Sequence, residues 1–344
     1  MFRRVLVLLV ALVMAATVVR AEKPGAASAK KQGQVVVRVA SATNDDPAAA
    51  GRTAAEALKR AMGSTPAKVV LLSECFEDKA NKEKVLAAVA AVFPREFVLG
   101  AATYGSFTQA GCTDADSVCL TGIGGDGVKA SAALVTNMGA AHLTYDANKE
   151  VVGQRLRTAG ARLAGTLRRS SQDRLMVLLA DAHSPKNQAL VEGVQQVFGP
   201  KFPITGGCAN KNAGQTFVYF GNRVYEDAAV GLMLAGDFRV GLAGRQAKEN
   251  SAVIQTAEQS AREAASRVQG KPVAALAFDC AGRRSKLKTI AEELASIQKA
   301  IGKDLPLFGC YCAGEMGPVD QTDKPAGVLC GGSGWHIMFT LICQ

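Results

Sequence analysis

"AKVVLLSECF", residues 67–76, is an apolar run that stops abruptly at Ser73, Glu74 and Cys75. "NKEKVLAAVAAVF" (81–93) follows, apolar at three- and four-residue spacing, and then "EFVLGAATYG" (96–105), a second apolar run closing on glycine. Short apolar runs bounded by polar residues read as buried strands, and the three-and-four spacing reads as an amphipathic helix. The pattern recurs in "DRLMVLLADA" (173–182), "NQALVEGVQQVFG" and "FPITGGCANK" (202–211). It returns in "KPVAALAFDC" (271–280), "LKTIAEELASIQKAI" and "LPLFGCYCAG" (305–314). Helical stretches at 51–62, about 150–170 and 253–268 precede the three units. Repetition at a fixed supersecondary period predicts related structural units.

Apolar strands joined by helices predict sheets covered by helices, with right-handed crossovers. "TFVYFGNRVYEDAAVGLMLAGDFRVGLAG" (216–244) alternates around Gly221-Asn222, a hairpin signal, and the C-terminal "VLCGGSGWHIMFTLICQ" does the same around Gly331–Gly334. The expected class is therefore α/β with mixed sheets, built from repeated strand–helix–strand units in two related halves. The halves are expected to span 35–244 and 245–344. "QVVVRVAS" (34–41) reads as a first strand, and the helix after it can be capped by Asn44 or Asp45, with Pro47 in its first turn.

Gly122, Gly124 and Gly127 fit G-x-G-x-x-G, but that fingerprint needs a strand before and a helix after. "SVCLTG" and "VKASAALVTN" flank it, so two strands around a glycine turn are expected instead.

The chain has 344 residues, 48% hydrophobic and 20% charged, with a formal charge of +10. Met1-Phe2-Arg3-Arg4 precedes an unbroken apolar run from Val5 to Val19, which closes on Val19-Arg20-Ala21. That is the layout of an export signal cleaved near Ala21, followed by a polar leader over 22–34. The apolar run falls short of the roughly 20 residues of a membrane span, so a stable span is not expected. An exported protein, periplasmic or extracellular, is the expectation. Basic residues are scattered rather than striped and aromatics make up only 6%, so no nucleic-acid partner is expected.

In open α/β sheets, ligands gather beyond the carboxyl ends of the strands. Those ends carry Ser73-Glu74-Cys75, Thr103-Tyr104, Asp181-His183, Cys208-Asn210, Asp279-Cys280-Arg283 and Cys310-Cys312-Glu315. If the units pack side by side, these ends converge. Side chains alternate along a strand, so Cys310 and Cys312 would share a face with Tyr311 opposite. Glu315 could accept hydrogen bonds from a ligand ammonium, and Arg283 could hold a carboxylate with its two-pronged guanidinium. The competing reading makes the cysteines small core residues, Glu315 a cap and Arg283 a partner of Asp279.

Three histidines and nine cysteines, with no C-x-x-C pair, leave a thiolate metal site or a thiol nucleophile as rival readings. His336 reads as a satisfied core or edge histidine. Cys112 and Cys119, flanking "TDADSV", are expected to form a local disulfide.

Three stretches carry a resemblance. "GGCANKNAGQTFVYFGNRVYEDAAVGLMLAG" is similar to the segment closing the N-terminal part of FIST domains. "FDCAGRR" and "GCYCAGEMGPVD" resemble two C-terminal FIST signatures, and the likeness runs from about residue 35 to the end. It implies a sensory-type module binding a small ligand, amino acids above all, with no cofactor and no enzymatic activity of its own. Against that pattern, a shortened second half, a signal peptide and no output domain are expected here, so a separate protein partner would carry any signal. The residues expected to line the pocket are Tyr104, Asn210, Cys280, Arg283, Cys310 and Glu315.

Overall fold

A computed structural model describes residues 33–210, 216–320 and 324–344. The expected signal segment and most of the leader lie outside the described residues.

Three units follow one another with the same order of elements. The first comprises β1 (Val36–Thr43), α1 (Pro47–Met62), β2 (Ala67–Glu74), α2 (Lys79–Ala90), β3 (Val98–Ala102), the hairpin β4 (Ser106–Thr108) and β5 (Gly111–Thr113), and β6 (Ser117–Gly124). The second comprises β7 (Val128–Val135), α3 (Tyr145–Thr166), β8 (Asp173–Ala180), α4 (Asn187–Phe198), β9 (Ile204–Cys208), the hairpin β10 (Val218–Phe220) and β11 (Arg223–Tyr225), and β12 (Ala229–Gly236). The third comprises β13 (Arg239–Gln246), α5 (Asn250–Ser266), β14 (Pro272–Cys280), the short α6 (Ala281–Arg284), α7 (Ile290–Ile301), β15 (Leu307–Cys312), β16 (Glu315–Gly317) with β17 (Gly331–Ser333), and β18 (His336–Cys343).

These strands form three six-stranded sheets with equivalent orders: β1-β6-β2-β3-β10-β11, β7-β12-β8-β9-β16-β17 and β13-β18-β14-β15-β4-β5. In each sheet only the central pair is parallel (β2/β3, β8/β9, β14/β15), as a helical crossover requires. The class is thus the expected one, α/β with mixed sheets covered by helices. Each unit also lends its hairpin to another unit's sheet: β4 pairs with β15, β10 with β3 and β16 with β9. Residue 245 lies inside β13, and the exchanged hairpins make the sheets continuous across it.

The inner faces of all three sheets share one apolar core, including Val37, Leu71, Val177, Leu232, Leu276 and Phe308. Helices cover the outer faces: α1 and α2 over the first sheet, α3 and α4 over the second, α5 and α7 over the third. Fully burying one such Val, Leu or Phe side chain contributes about 1.5–3 kcal/mol, and the core residues named here are at most 3% exposed.

The glycine inside the second strand of the first and third units has a steric cause. A Cβ on Gly100 would fall 2.0 Å from the Leu72 carbonyl oxygen, and one on Gly309 would fall 2.1 Å from the Phe107 ring. Phe107 belongs to the borrowed hairpin and pairs across from Gly309, so the glycine makes room for the exchange.

Two local readings change. Asp46, not Asn44 or Asp45, caps α1, because Pro47 occupies the first helical position and the cap is the residue just before it; its carboxylate accepts the Ala48 amide at 3.0 Å. The C-terminal glycines do not close a hairpin, since β17 pairs with β16 in the second sheet and β18 runs in the third. The strands on either side of Gly125 likewise enter different sheets. The turn at Gly221-Asn222, by contrast, closes the expected hairpin, with φ of 60° and 66° as a type I′ turn needs.

Candidate functional site

The carboxyl ends of the three parallel strand pairs meet. Tyr104 N donates to Tyr311 O at 2.9 Å, and Tyr311 N to Gly105 O at 3.0 Å. Asn210 N donates to Ala102 O at 2.9 Å, Ala313 N to Cys208 O at 3.0 Å, and Cys208 N to Gly314 O at 2.8 Å. The turns after β3, β9 and β15 are thus stitched to one another, which brings most of the sequence-predicted residues into one region.

Register decides what faces the shared core. Ser106, Val218 and Glu315 occupy equivalent places on the borrowed strands, opposite Cys310, Ala101 and Gly207. Ser73 Oγ is 2.8 Å from Thr103 Oγ1 and 2.7 Å from Ser106 Oγ, forming a buried hydroxyl chain. Cys310 and Cys312 are both buried, with sulfurs 3.8 Å apart, so they share a face as strand alternation predicts. Tyr311 points the other way, and its hydroxyl donates to Glu293 Oε2 at 3.0 Å. Between the sheets, Ser73, Thr103, Phe278, Cys310 and Cys312 help to line a cavity of about 10 Å³, room for about one water molecule.

Glu315 is fully buried. Its Oε2 accepts the His336 amide at 3.1 Å, while Oε1 has no hydrogen-bond partner among the described residues. Burial pushes its carboxyl up to about 8, against the opposing pull of the His336 amide, the Cys280 thiol and the Arg283 charge. Asn187 holds the backbone in place, its Nδ2 donating to Glu315 O at 3.0 Å and Ser333 O at 2.9 Å. Asn210 is also fully buried; its Nδ2 donates to Thr103 O, whereas its Oδ1 accepts nothing. Among the described residues, Glu315 Oε1 and Asn210 Oδ1 thus lack donors at the converged ends, as do Asp279 Oδ2 and Asn187 Oδ1.

Cys280 ends β14, and its sulfur accepts the Trp335 amide at 3.2 Å. Burial, and then the Glu315 charge, push this thiol up to about 12. Burial likewise raises the thiols of Cys75, Cys112 and Cys330, to about 11, 11 and 12. Trp335 is half-buried at φ 64°, uncommon for an aromatic residue. A Cβ on Gly282 would sit 3.1 Å from its indole, so glycine is what lets the ring lie there. Lys248 and Lys286 approach the same ring at 5.9 and 5.8 Å.

Arg283 is placed differently from the expected carboxylate clamp. It is fully buried, with Nε on Asp279 Oδ1 at 2.7 Å and Nη2 on Glu293 Oε1 at 2.7 Å. Nη1 reaches Thr256 Oγ1 and Nη2 also reaches Val253 O, each at 3.0 Å. Burial alone would pull its pKa down, but Asp279 and Glu293 together hold it above the ordinary value. Its fork is filled by the protein and fastens β14 to α5 and α7. Tyr104 is half-buried and presents its carbonyl to Arg284 at 2.5 Å.

Cys112 and Cys119 are both free thiols, so the expected disulfide is not formed. Cys112 lies half-buried in β5 of the third sheet, while Cys119 lies in β6 of the first, buried in the shared core. Hairpin exchange separates the two. His336 is buried as expected, its Nδ1 2.9 Å from Gly334 O and its Nε2 accepting the Asp320 amide at 3.3 Å. Among the described residues no three His, Cys, Asp or Glu side chains gather to hold a metal.

One cluster escaped the sequence reading. Lys82 is fully buried on α2, with Nζ 3.1 Å from Glu74 Oε1 and also donating to Phe76 O. Tyr219 from the borrowed hairpin donates to the same carboxylate. Burial raises the Glu74 carboxyl while Lys82 lowers it. A signal was present, because Lys82 shares the helix face of Val85, Leu86 and Val89.

Residues 69–262 match the FIST N domain, and residues 213–318 match the FIST C domain. No curated protein matches the chain. Among solved structures, a cyanuric acid hydrolase from A. caulinodans is similar at 8% identity and TM-score 0.42, over 90% of this chain and 100% of that one. PurLQS and phosphoribosylformylglycinamidine synthase II, both from Thermotoga maritima, are similar at 7% identity with TM-scores 0.29 and 0.26. Each match covers 90% of this chain and 72% of the other. Likeness at that level carries no argument about activity. The two domain matches do: the chain belongs to the FIST family of small-ligand sensory modules.

Proposed function

We propose that this protein binds a small metabolite bearing an ammonium group, amino acids being the first class to try, at the converged strand ends. The observation that carries the reading is the fully buried Glu315 carboxylate, with Oε1 unpartnered among the described residues, in the same region as Asn210, whose Oδ1 is likewise unpartnered among them. Leaving a buried polar atom unpaired costs about 1–3 kcal/mol, more when it is charged. A donor-rich cationic ligand relieves that cost at both acceptors. Arg283 does not serve the ligand's carboxylate, because its fork is already filled.

The raised thiols favour a binder over a thiol-dependent enzyme. A nucleophilic cysteine needs a lowered pKa, whereas burial raises Cys280 to about 12. The amino-terminal layout of residues 1–21 supports export, with the ligand met outside the cytoplasm. No helix among the described residues is long and apolar enough to cross a membrane.

The test is calorimetric titration of the full chain with amino acids and simple amines on both sides of pH 8. Below that value Glu315 holds a proton that an ammonium ligand must expel, so affinity falls as pH drops and rises to a plateau above it. Binding that is indifferent to pH from 6 to 9 would remove Glu315 from the reading.

A further inference from the structure

A second region of the molecule, independent of Glu315, carries unspent charge. Beside β13 lies a cavity of about 350 Å³, at the small end of metabolite pockets. Three cations line it: Arg245 from β13, Arg267 just past α5, and Lys324 from the segment between β16 and β17. Among the described residues two carboxylates line the cavity with them, and both are engaged. Glu263 spends one oxygen on Arg245 and the other on Arg267. Asp320 accepts the Gln246 amide at 3.0 Å and lies 3.5 Å from His336 Nε2.

The cations are not equally spent. Among the described residues, Arg245 Nε is buried without a hydrogen-bond partner, and Lys324 Nζ donates to one carbonyl, Leu329 O at 2.8 Å. Burial lowers the Lys324 pKa and the Arg267 charge adds to the lowering, against the opposing pull of Cys330, Asp320 and Glu263. The remaining wall is apolar, with Val240, Leu242, Val328 and Leu329.

We propose that this cavity binds a small amphipathic acid, its carboxylate or phosphate head between Arg245, Arg267 and Lys324 and its apolar body along Val240, Leu242 and Val328. Guanidinium groups suit both head groups, because each offers paired N–H donors to paired oxygens. An anion there supplies the acceptor that Arg245 Nε lacks and relieves the repulsion between Arg267 and Lys324.

The experiment is thermal unfolding of the full chain at low ionic strength with hexanoate and, separately, hexyl phosphate, each against sodium chloride at matched ionic strength. Ligand that binds only the folded state raises Tm as its concentration passes Kd. The expected result is a rise with one or both acids beyond the salt control. The rise is at least halved in Arg245→Gln and in Lys324→Gln, and unchanged in Glu315→Gln. A response to hexyl phosphate alone assigns the site to phosphate esters, and a response to hexanoate alone assigns it to carboxylic acids. Lys324 and Arg245 are both partly exposed, and circular dichroism checks that each variant is folded. No rise beyond salt with either acid, or an undiminished rise in both folded variants, overturns the proposal. Because Glu315→Gln is carried alongside, failure here is distinguishable from failure at the strand ends.

Discussion

Arg283 and Glu315 both lie at the carboxyl ends of the third unit's strands, and both are fully buried, yet their surroundings treat them in opposite ways. Arg283 is met by two carboxylates, a hydroxyl and a carbonyl. Glu315 has the His336 amide on one oxygen and the Cys280 thiol beside it, while its Oε1 has no hydrogen-bond partner among the described residues. A charge whose partners are all supplied by the protein holds elements together. A charge left half-partnered in the same region is available to something that comes and goes. The first unit sharpens the contrast, for Glu74 has Lys82, Tyr219 and the Phe76 amide around it.

The comparison breaks if Arg283 proves dispensable. Arg283→Ala leaves Asp279 and Glu293 buried without their cation, a class of change costing about 3–5 kcal/mol; urea unfolding measures it, and a loss under about 1 kcal/mol would return Arg283 to a ligand role. Lys82→Ala should cost about 3 kcal/mol by the same argument, with Tyr219 and the Phe76 amide still serving Glu74. Gly309→Ala pushes a methyl into the Phe107 ring of the borrowed hairpin, and denaturation should show a loss of about 1–3 kcal/mol.

Glu315→Gln should behave unlike any of these. With a folded pKa near 8 against 4.5 for an ordinary carboxyl, the native state holds this proton more tightly than the unfolded chain does. Its contribution to stability is full below pH 4.5 and is lost as pH rises through 8. The glutamine variant should lack that decline and overtake the parent protein above pH 8, which Tm against pH will show. The smallest effect is expected at Cys112, where substitution by serine should shift stability by less than about 0.5 kcal/mol and leave the response to reducing agent unchanged.

The repeat was legible because strand–helix–strand units leave two periodicities in the sequence, and the closing glycines marked where hairpins would pack. Which sheet each hairpin joins was not legible. A glycine-rich turn specifies how a chain reverses, not which neighbour it then meets, so Gly331–Gly334 reads as a hairpin turn although β17 joins β16 and β18 runs in another sheet. The same exchange separated Cys112 from Cys119, only a short loop apart in sequence. At the site, convergence followed from topology and the shared face of Cys310 and Cys312 from strand alternation, while Glu315, expected on the loop leaving the strand, opens β16. The partners of Arg283 were hidden because Val253, Thr256 and Glu293 lie on helices whose packing the sequence does not state. Lys82 was readable from its place on the apolar stripe of α2, but nothing in the sequence tied it to Tyr219, which arrives from another unit.

The central claim is that Glu315 is the group that meets the ligand. Its most direct test is thermal unfolding of the full chain, with and without Glu315→Gln, against the standard amino acids and simple amines above pH 8. The account predicts that an ammonium-bearing metabolite raises Tm in a concentration-dependent way and that the glutamine variant loses the rise while staying folded. An equal rise in the variant, or a response confined to ligands with no amino group, would contradict it.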